Sequence, residues 1–146
     1  MKIIAHRGNL NGTNPDKENC PDYIETALKS GYDVEVDVWY INNQWHLGHD
    51  KPQYENVRYD FLLKRGIWLH AKNGDAFYKL LHDYDAHVFW HTDEDWVLTS
   101  KNYIWTYPGK LLYPNSVCVM PELGYNGKLS ECHAVCTDYP INYEKV

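Results

Sequence analysis

The chain has 146 residues, 44% hydrophobic and 23% charged, with a formal net charge of −6 and a sequence pI near 5.7. That length suits a single domain over residues 1–146, able to remove about 68–70% of its unfolded surface from water. The acidic balance excludes broad attraction to nucleic acid or to an anionic membrane, although a local positive site can still hold a phosphate.

With 13 Tyr and 6 Trp the apolar content is strongly aromatic, which suits large inward-facing side chains. No run approaches the length of a membrane span, and Met1–His6 turns polar too soon for a signal peptide, so a soluble, cytoplasmic chain without stable membrane insertion is expected. Cys20, Cys118, Cys132 and Cys136 form no CxxC pair and read as free thiols of a reducing compartment. Cys132-His133 with Cys136 lacks a fourth ligand for zinc. The sequon Asn11-Gly12-Thr13 carries no weight without a secretory signal.

In chain order, Ile3-Ile4-Ala5 reads as a buried strand delivering His6-Arg7-Gly8 at its end. Gly8 to Lys17 is a polar loop of the kind that runs over a site. A helix opens with Pro21 and stops at Gly31, with Tyr23, Ile24, Ala27 and Leu28 as its apolar stripe. Val34 to Tyr40 is the second strand. The resulting strand–helix–strand unit requires a parallel crossover.

Alternation along that second strand sends Glu35 and Asp37 to one face and Val34, Val36 and Val38 to the other. Two carboxylates about 6.6 Å apart repel by roughly 2.5 kcal/mol at an effective dielectric near 20, so a positive group is expected between them. A hard divalent cation with oxygen ligands, Ca2+ or Mg2+, meets that need. The plainer reading, an exposed edge with solvated acids, sits badly with the flanking valines and Trp39.

Tyr40 to Leu47, with Asn42-Asn43 at its centre, reads as a hairpin that returns the chain to His49-Asp50 on the side of the acids. A loose segment leads to a helix over Arg58 to Arg65, stopped by Gly66. Ile67 to Lys72 is a third strand, with Trp68, His70 and Lys72 sharing a face. Asp75 caps a helix reaching Asp83, and His87 to His91 is a fourth strand. Thr92 to Ser100 reads as a short helix, with the acids of His91-Thr92-Asp93-Glu94-Asp95 at its N-terminus. Further strands follow at Tyr103–Thr106, Ser116–Met120 and Ala134–Thr137. His46, His82 and His87 read as structural or solvent-exposed.

The ordered set His6-Arg7-Gly8, Glu18-Asn19, Glu35-x-Asp37 and His49-Asp50 resembles the glycerophosphodiester phosphodiesterase family, and Cys136-Thr137-Asp138-Tyr139-Pro140 is similar to that family's closing strand. The resemblance implies a reduced TIM-type (β/α) barrel of seven or eight parallel strands, with helices missing or shortened in the second half, since a full barrel takes about 250 residues. It implies a metal-dependent phosphodiesterase acting on a small-molecule phosphodiester. His6 and His49 would form the acid–base pair, Glu35 and Asp37 would bind the metal, and Arg7 and Lys72 would bind phosphate.

The family's third strand usually ends Glu-x-Lys where this chain has His70-Ala71-Lys72. That leaves His70, Glu122 or Asp93 as candidates for the third metal ligand. Two rival readings stand beside hydrolysis: a phosphatidylinositol-specific phospholipase type of cyclising cleavage, and a non-catalytic module that binds a phosphate ligand.

Overall fold

The computed structural model describes residues 1–146. The first half alternates strands and helices: β1 (Lys2–His6), α1 (Pro21–Lys29), β2 (Asp33–Ile41), β3 (Gln44–Leu47), β4 (Tyr54–Val57), α2 (Tyr59–Leu62), β5 (Ile67–Ala71), α3 (Gly74–Leu81) and β6 (Val88–Phe89). The second half has strands alone, β7 (Trp96–Leu98), β8 (Ile104–Thr106), β9 (Ser116–Val119) and β10 (Ala134–Thr137), joined by loops and short 3-10 turns. No helix is long and apolar enough to cross a membrane.

The expected TIM-type barrel is not what forms. All ten strands belong to one curled, mixed sheet. A parallel run β6-β5-β2-β1-β10-β9-β8 is flanked by β3, β4 and β7, each antiparallel to its neighbours. β6 pairs only with β5, and β7 only with β8, so no ladder closes a ring. The curl still brings the Phe89 and Trp105 rings to 4.3 Å, and Ser100 bridges the gap by donating its N–H to the Val88 carbonyl at 2.8 Å. The break lies between β6 and β8: the chain between them supplies no parallel strand, only β7, which runs antiparallel to β8 and leaves β6 without a second partner.

The two faces of the sheet follow from strand alternation. Val34, Val36, Val38, Leu69 and Val88 point outward, into a core of fifteen buried residues that includes Ile24 and Ala27 of α1 and Ala76 and Leu80 of α3. Ile4, Trp68, Phe89, Trp105, Val117, Ala134 and Cys136 point inward and fill the concave side. Outside β9 and β10, where no helix lies, Cys118, Cys132 and Val135 are covered by Ile3, Leu112, Tyr125, Leu129 and Tyr143.

Several local expectations change. Thr92–Ser100 is not a helix: the Glu94 carboxylate accepts the N–H groups of Thr92 and Asp93, which ties up the acidic residues in a turn, and Trp96–Leu98 then pairs with β8. The helix expected over Arg58–Arg65 shrinks to Tyr59–Leu62, and the segment before it contains β4. Helix α3 is capped by Asn73 rather than Asp75. The Asn73 carboxamide accepts the Ala76 N–H at 3.1 Å and also bonds both backbone groups of Tyr40, which fastens α3 to the end of β2. The hairpin turn falls at Asn42-Asn43, both in the left-handed region (φ 51° and 60°) that two-residue turns of this kind require.

Candidate functional site

The site is made by a change of partner along one edge of β2. The Glu35 and Asp37 carbonyls point to the same edge; the first accepts the Arg7 N–H at 3.0 Å and the second the Gly48 N–H at 3.1 Å. β1 therefore ends, and the segment after β3 begins, directly beside the two acids. His6-Arg7 and His49 emerge at that junction. The other edge of β2 is taken by β5, whose register sets Asp37 beside His70. Lys72 follows, its N–H bonded to the Val38 carbonyl at 2.9 Å.

Two backbone details hold this junction. Arg7 sits at φ 53°, a conformation that costs a non-glycine residue free energy and is kept only where the surroundings over-determine it. Gly48 sits at φ 149°, and a Cβ there would lie 2.1 Å from the Lys51 carbonyl oxygen, so no larger residue fits before His49. The Gly48 carbonyl accepts the Trp39 indole N–H at 2.7 Å, which gives Trp39 a role in aiming the His49 segment.

His6, Arg7, Glu35, His49, His70 and Lys72 all line one cleft of about 400 Å³, with His91, Trp105, Tyr107 and Met120 on its far wall. Asp37 lies directly beneath, fully buried. One oxygen of Glu35, one of Asp37 and one nitrogen of His70 lie within 4.8 Å of one another. Neither Asp93 nor Glu122 joins them: Asp93 is exposed, and Glu122 accepts from the Thr137 hydroxyl and the Asp138 N–H. All four cysteines are free, and Cys132 spends its thiol on backbone carbonyls.

The acids are surrounded by positive charge. Asp37 Oδ2 accepts from the Asn19 carboxamide at 2.9 Å and lies 3.2 Å from Arg7 Nε; its Oδ1 lies 3.2 Å from His70 Nδ1 and 4.0 Å from Lys72 Nζ. Burial pushes the Asp37 carboxyl up, but His70, Arg7 and Asn19 together outweigh it and hold the pKa well below the usual range. The same burial pushes His70 down, and Asp37 and Glu35 reverse it, to about 9.

Whether these residues fit a metal turns on three observations. Asp37 Oδ1 is buried, with His70 Nδ1 as its nearest cationic neighbour at 3.2 Å. The His70 Nδ1 separations of 3.2 Å from Asp37 and 3.6 Å from Glu35 match the edges of a coordination shell with bonds of about 2.1 Å. Finally, His70 Nε2 faces the His91 carbonyl at 2.9 Å, which keeps a proton on that nitrogen, so that a cation displacing the other proton would find Nδ1 beside both carboxylates. The donor set fits. One imidazole with two carboxylates, however, suits a softer ion such as manganese better than calcium, which takes six to eight oxygens.

The structure adds residues to which the sequence reading gave no role. Asp138, just past β10, lies 2.8 Å from His6 Nδ1, and Asn9 donates to the same carboxylate at 2.8 Å. This fixes the His6 ring so that Nε2 faces the cleft, 3.9 Å from Glu35. Burial pushes His6 down, but Asp138 and Glu35 raise its pKa, while His6 and Asn9 hold Asp138 low against its own burial. Asn19, in the left-handed region at φ 64°, clasps Asp37 twice, through its side-chain donor and through the Asp37 N–H to Asn19 Oδ1 at 2.9 Å. Alternation from Cys136 would have placed Asp138 on the inner face; Asn19 stands in the Glu18-Asn19 pair of the resemblance but without a role, and nothing in the sequence marks Asn9.

Two of the expected site residues stand differently from their assigned roles. Arg7 is held between Glu18 at 3.1 Å and Asp37, so Lys72 is the freer cation for a phosphate. His49 is at the rim, 40% exposed, with Nδ1 bonded to Asp50 at 2.7 Å. Comparison with protein-family models, with curated proteins and with solved structures finds no match to this chain.

Proposed function

We propose that the chain is a divalent-metal-assisted phosphodiesterase of small diesters, glycerophosphodiesters among them, working in the cytoplasm. The observation that carries this reading is one cleft in which a carboxylate–carboxylate–imidazole cluster lies beside a histidine oriented by a buried aspartate. Diester cleavage needs a proton removed from the attacking oxygen, a proton given to the leaving oxygen, and positive charge near the phosphoryl oxygens. His6, aimed by Asp138, and His49 at the rim divide the two proton transfers. Lys72 faces the phosphoryl group, and Arg7 offsets the charge of Asp37. Glu35, Asp37 and His70 would hold the cation, which when bound polarises a phosphoryl oxygen.

The test is release of glycerol phosphate from glycerophosphocholine with added magnesium, followed by phosphorus NMR. His6→Ala and His49→Ala should each lower the rate by about 10²–10⁴-fold, with circular dichroism unchanged. Full activity in both variants rejects the assignment.

A second reading has its own support, since Arg7 Nε lies 3.2 Å from Asp37 and can supply positive charge without a metal. In that case a hydroxyl of the substrate loses its proton and attacks phosphorus, the exocyclic P–O bond breaks, the alcohol departs with a proton from a histidine, and a cyclic phosphate is the product. Activity that survives chelation, with a cyclic phosphate in the spectrum, selects this second reading.

A further inference from the structure

At the opposite end of the sheet, where β1, β2, β5 and β10 begin, a second cavity of about 410 Å³ opens. Lys2, Lys64, Arg65 and Lys101 line it against Asp33 and Asp85, in a chain whose net charge is −6. Local charge thus runs against global charge. Two of the cations are already committed, Lys2 to Asp33 at 3.0 Å and Lys64 to Glu25. Asp33 is further occupied by the Trp68 indole N–H at 2.8 Å. Arg65 and Lys101 are exposed and have no carboxylate within ion-pair distance.

The walls are aromatic and closely stacked. Trp68 packs on His87 with centroids 4.0 Å apart, and Tyr103 stacks on His133 at 4.3 Å. His133 Nε2 is buried with no hydrogen-bond partner and is closed to the cavity. The imidazoles also register the positive field: burial first, then Lys101, Lys2 and His133, push His87 down to about 3. Burial and Lys2 likewise lower His133, which leaves both rings neutral, so the positive charge of the cavity comes from its lysines and arginine.

We propose that this cavity is a binding site for a phosphate-type dianion, held by Arg65 and Lys101 beside Lys2 and Lys64. Two unpaired cations suit two negative charges, and the guanidinium offers the forked donor geometry that phosphate oxygens accept. The site is separate from the metal cleft and stands whether or not the proposed activity does.

The experiment is a titration of the ¹⁵N-labelled chain with inorganic phosphate, with sodium chloride at matched ionic strength as control. Saturable shifts at the Gly66, Lys101, Tyr103 and His133 amides are expected. They should persist in Lys72→Ser, which alters only the opposite cleft, and require about tenfold more phosphate in the double variant Arg65→Ser/Lys101→Ser. The proposal is overturned if those amides do not shift saturably, if chloride reproduces the shifts, or if the double variant titrates like the parent.

Discussion

His70 and His87 mark the two ends of the concave face, and both are largely sequestered from water, yet one is raised to about 9 and the other lowered to about 3. Burial pushes both in the same direction, so it cannot explain the difference. Neighbours do. His70 ends a strand beside two carboxylates, whereas His87 begins one among Lys2, Lys101 and His133. The inner face is thus polarised along the strands, acid-centred where they end and cation-rimmed where they begin, with Ile4, Phe89, Trp105 and Cys136 as the apolar layer between.

The largest perturbation of this arrangement should come from Asp37→Ala. Arg7, His70 and Lys72 would be left around a buried hole with no carboxylate at its centre, and breaking a buried ion cluster from one side costs about 3–5 kcal/mol. Urea unfolding of the metal-free chain measures it. A loss under about 1 kcal/mol, the scale of surface pairs, would show that these cations are solvated and that the acid-centred end is not a cluster at all.

A smaller loss is expected from Asn19→Gly, which keeps the left-handed backbone at no steric cost but removes the carboxamide that clasps Asp37. The Asp37 oxygen keeps Arg7 Nε at 3.2 Å, so the loss is chiefly that of the backbone N–H partner, about 1–3 kcal/mol. Asn19→Ala should be worse than Asn19→Gly, because it adds strain at positive φ. Equal stability of the two would mean the backbone there relaxes.

The acid-centred end was legible in the sequence because alternation is a strong signal: Glu35 and Asp37 among valines fix a face before any contact is known, and His6, His49, His70 and Lys72 reach the same cleft. What orients them was not legible. Asn9, Asn19 and Asp138 act on residues 18–132 positions away, and such partners leave no periodic mark. The second half misled for a local reason. Thr92-Asp93-Glu94 looks like the start of a helix, but a side chain that bonds its own neighbouring N–H groups competes with helix formation. Once β7 forms there, the sheet remains an open curl rather than the closed ring that the first half suggests.

The cation-rimmed end yields the subtlest test, because its effect is a slope rather than an offset. His87 has its pKa below the ordinary 6.5 in the folded chain, so its contribution to stability is complete above that pH and is lost as pH falls toward 3. The upper limit is about 1.4 kcal/mol per pH unit over that window. His87→Gln can keep a polar contact with Thr99, which His87 Nε2 meets at 2.8 Å, but it cannot take up a proton. Acid-sensitive carboxylates such as Asp37 and Asp138 act equally in both chains and cancel in the difference. The parent should therefore lose stability faster than the variant between pH 6.5 and 4 in urea titrations, and at the same rate above pH 7. Parallel curves would mean that His87 charges freely in the folded state. The fields of Lys2, Lys101 and His133 would then be screened at this cavity, and the contrast between the two ends would reduce to the carboxylates alone.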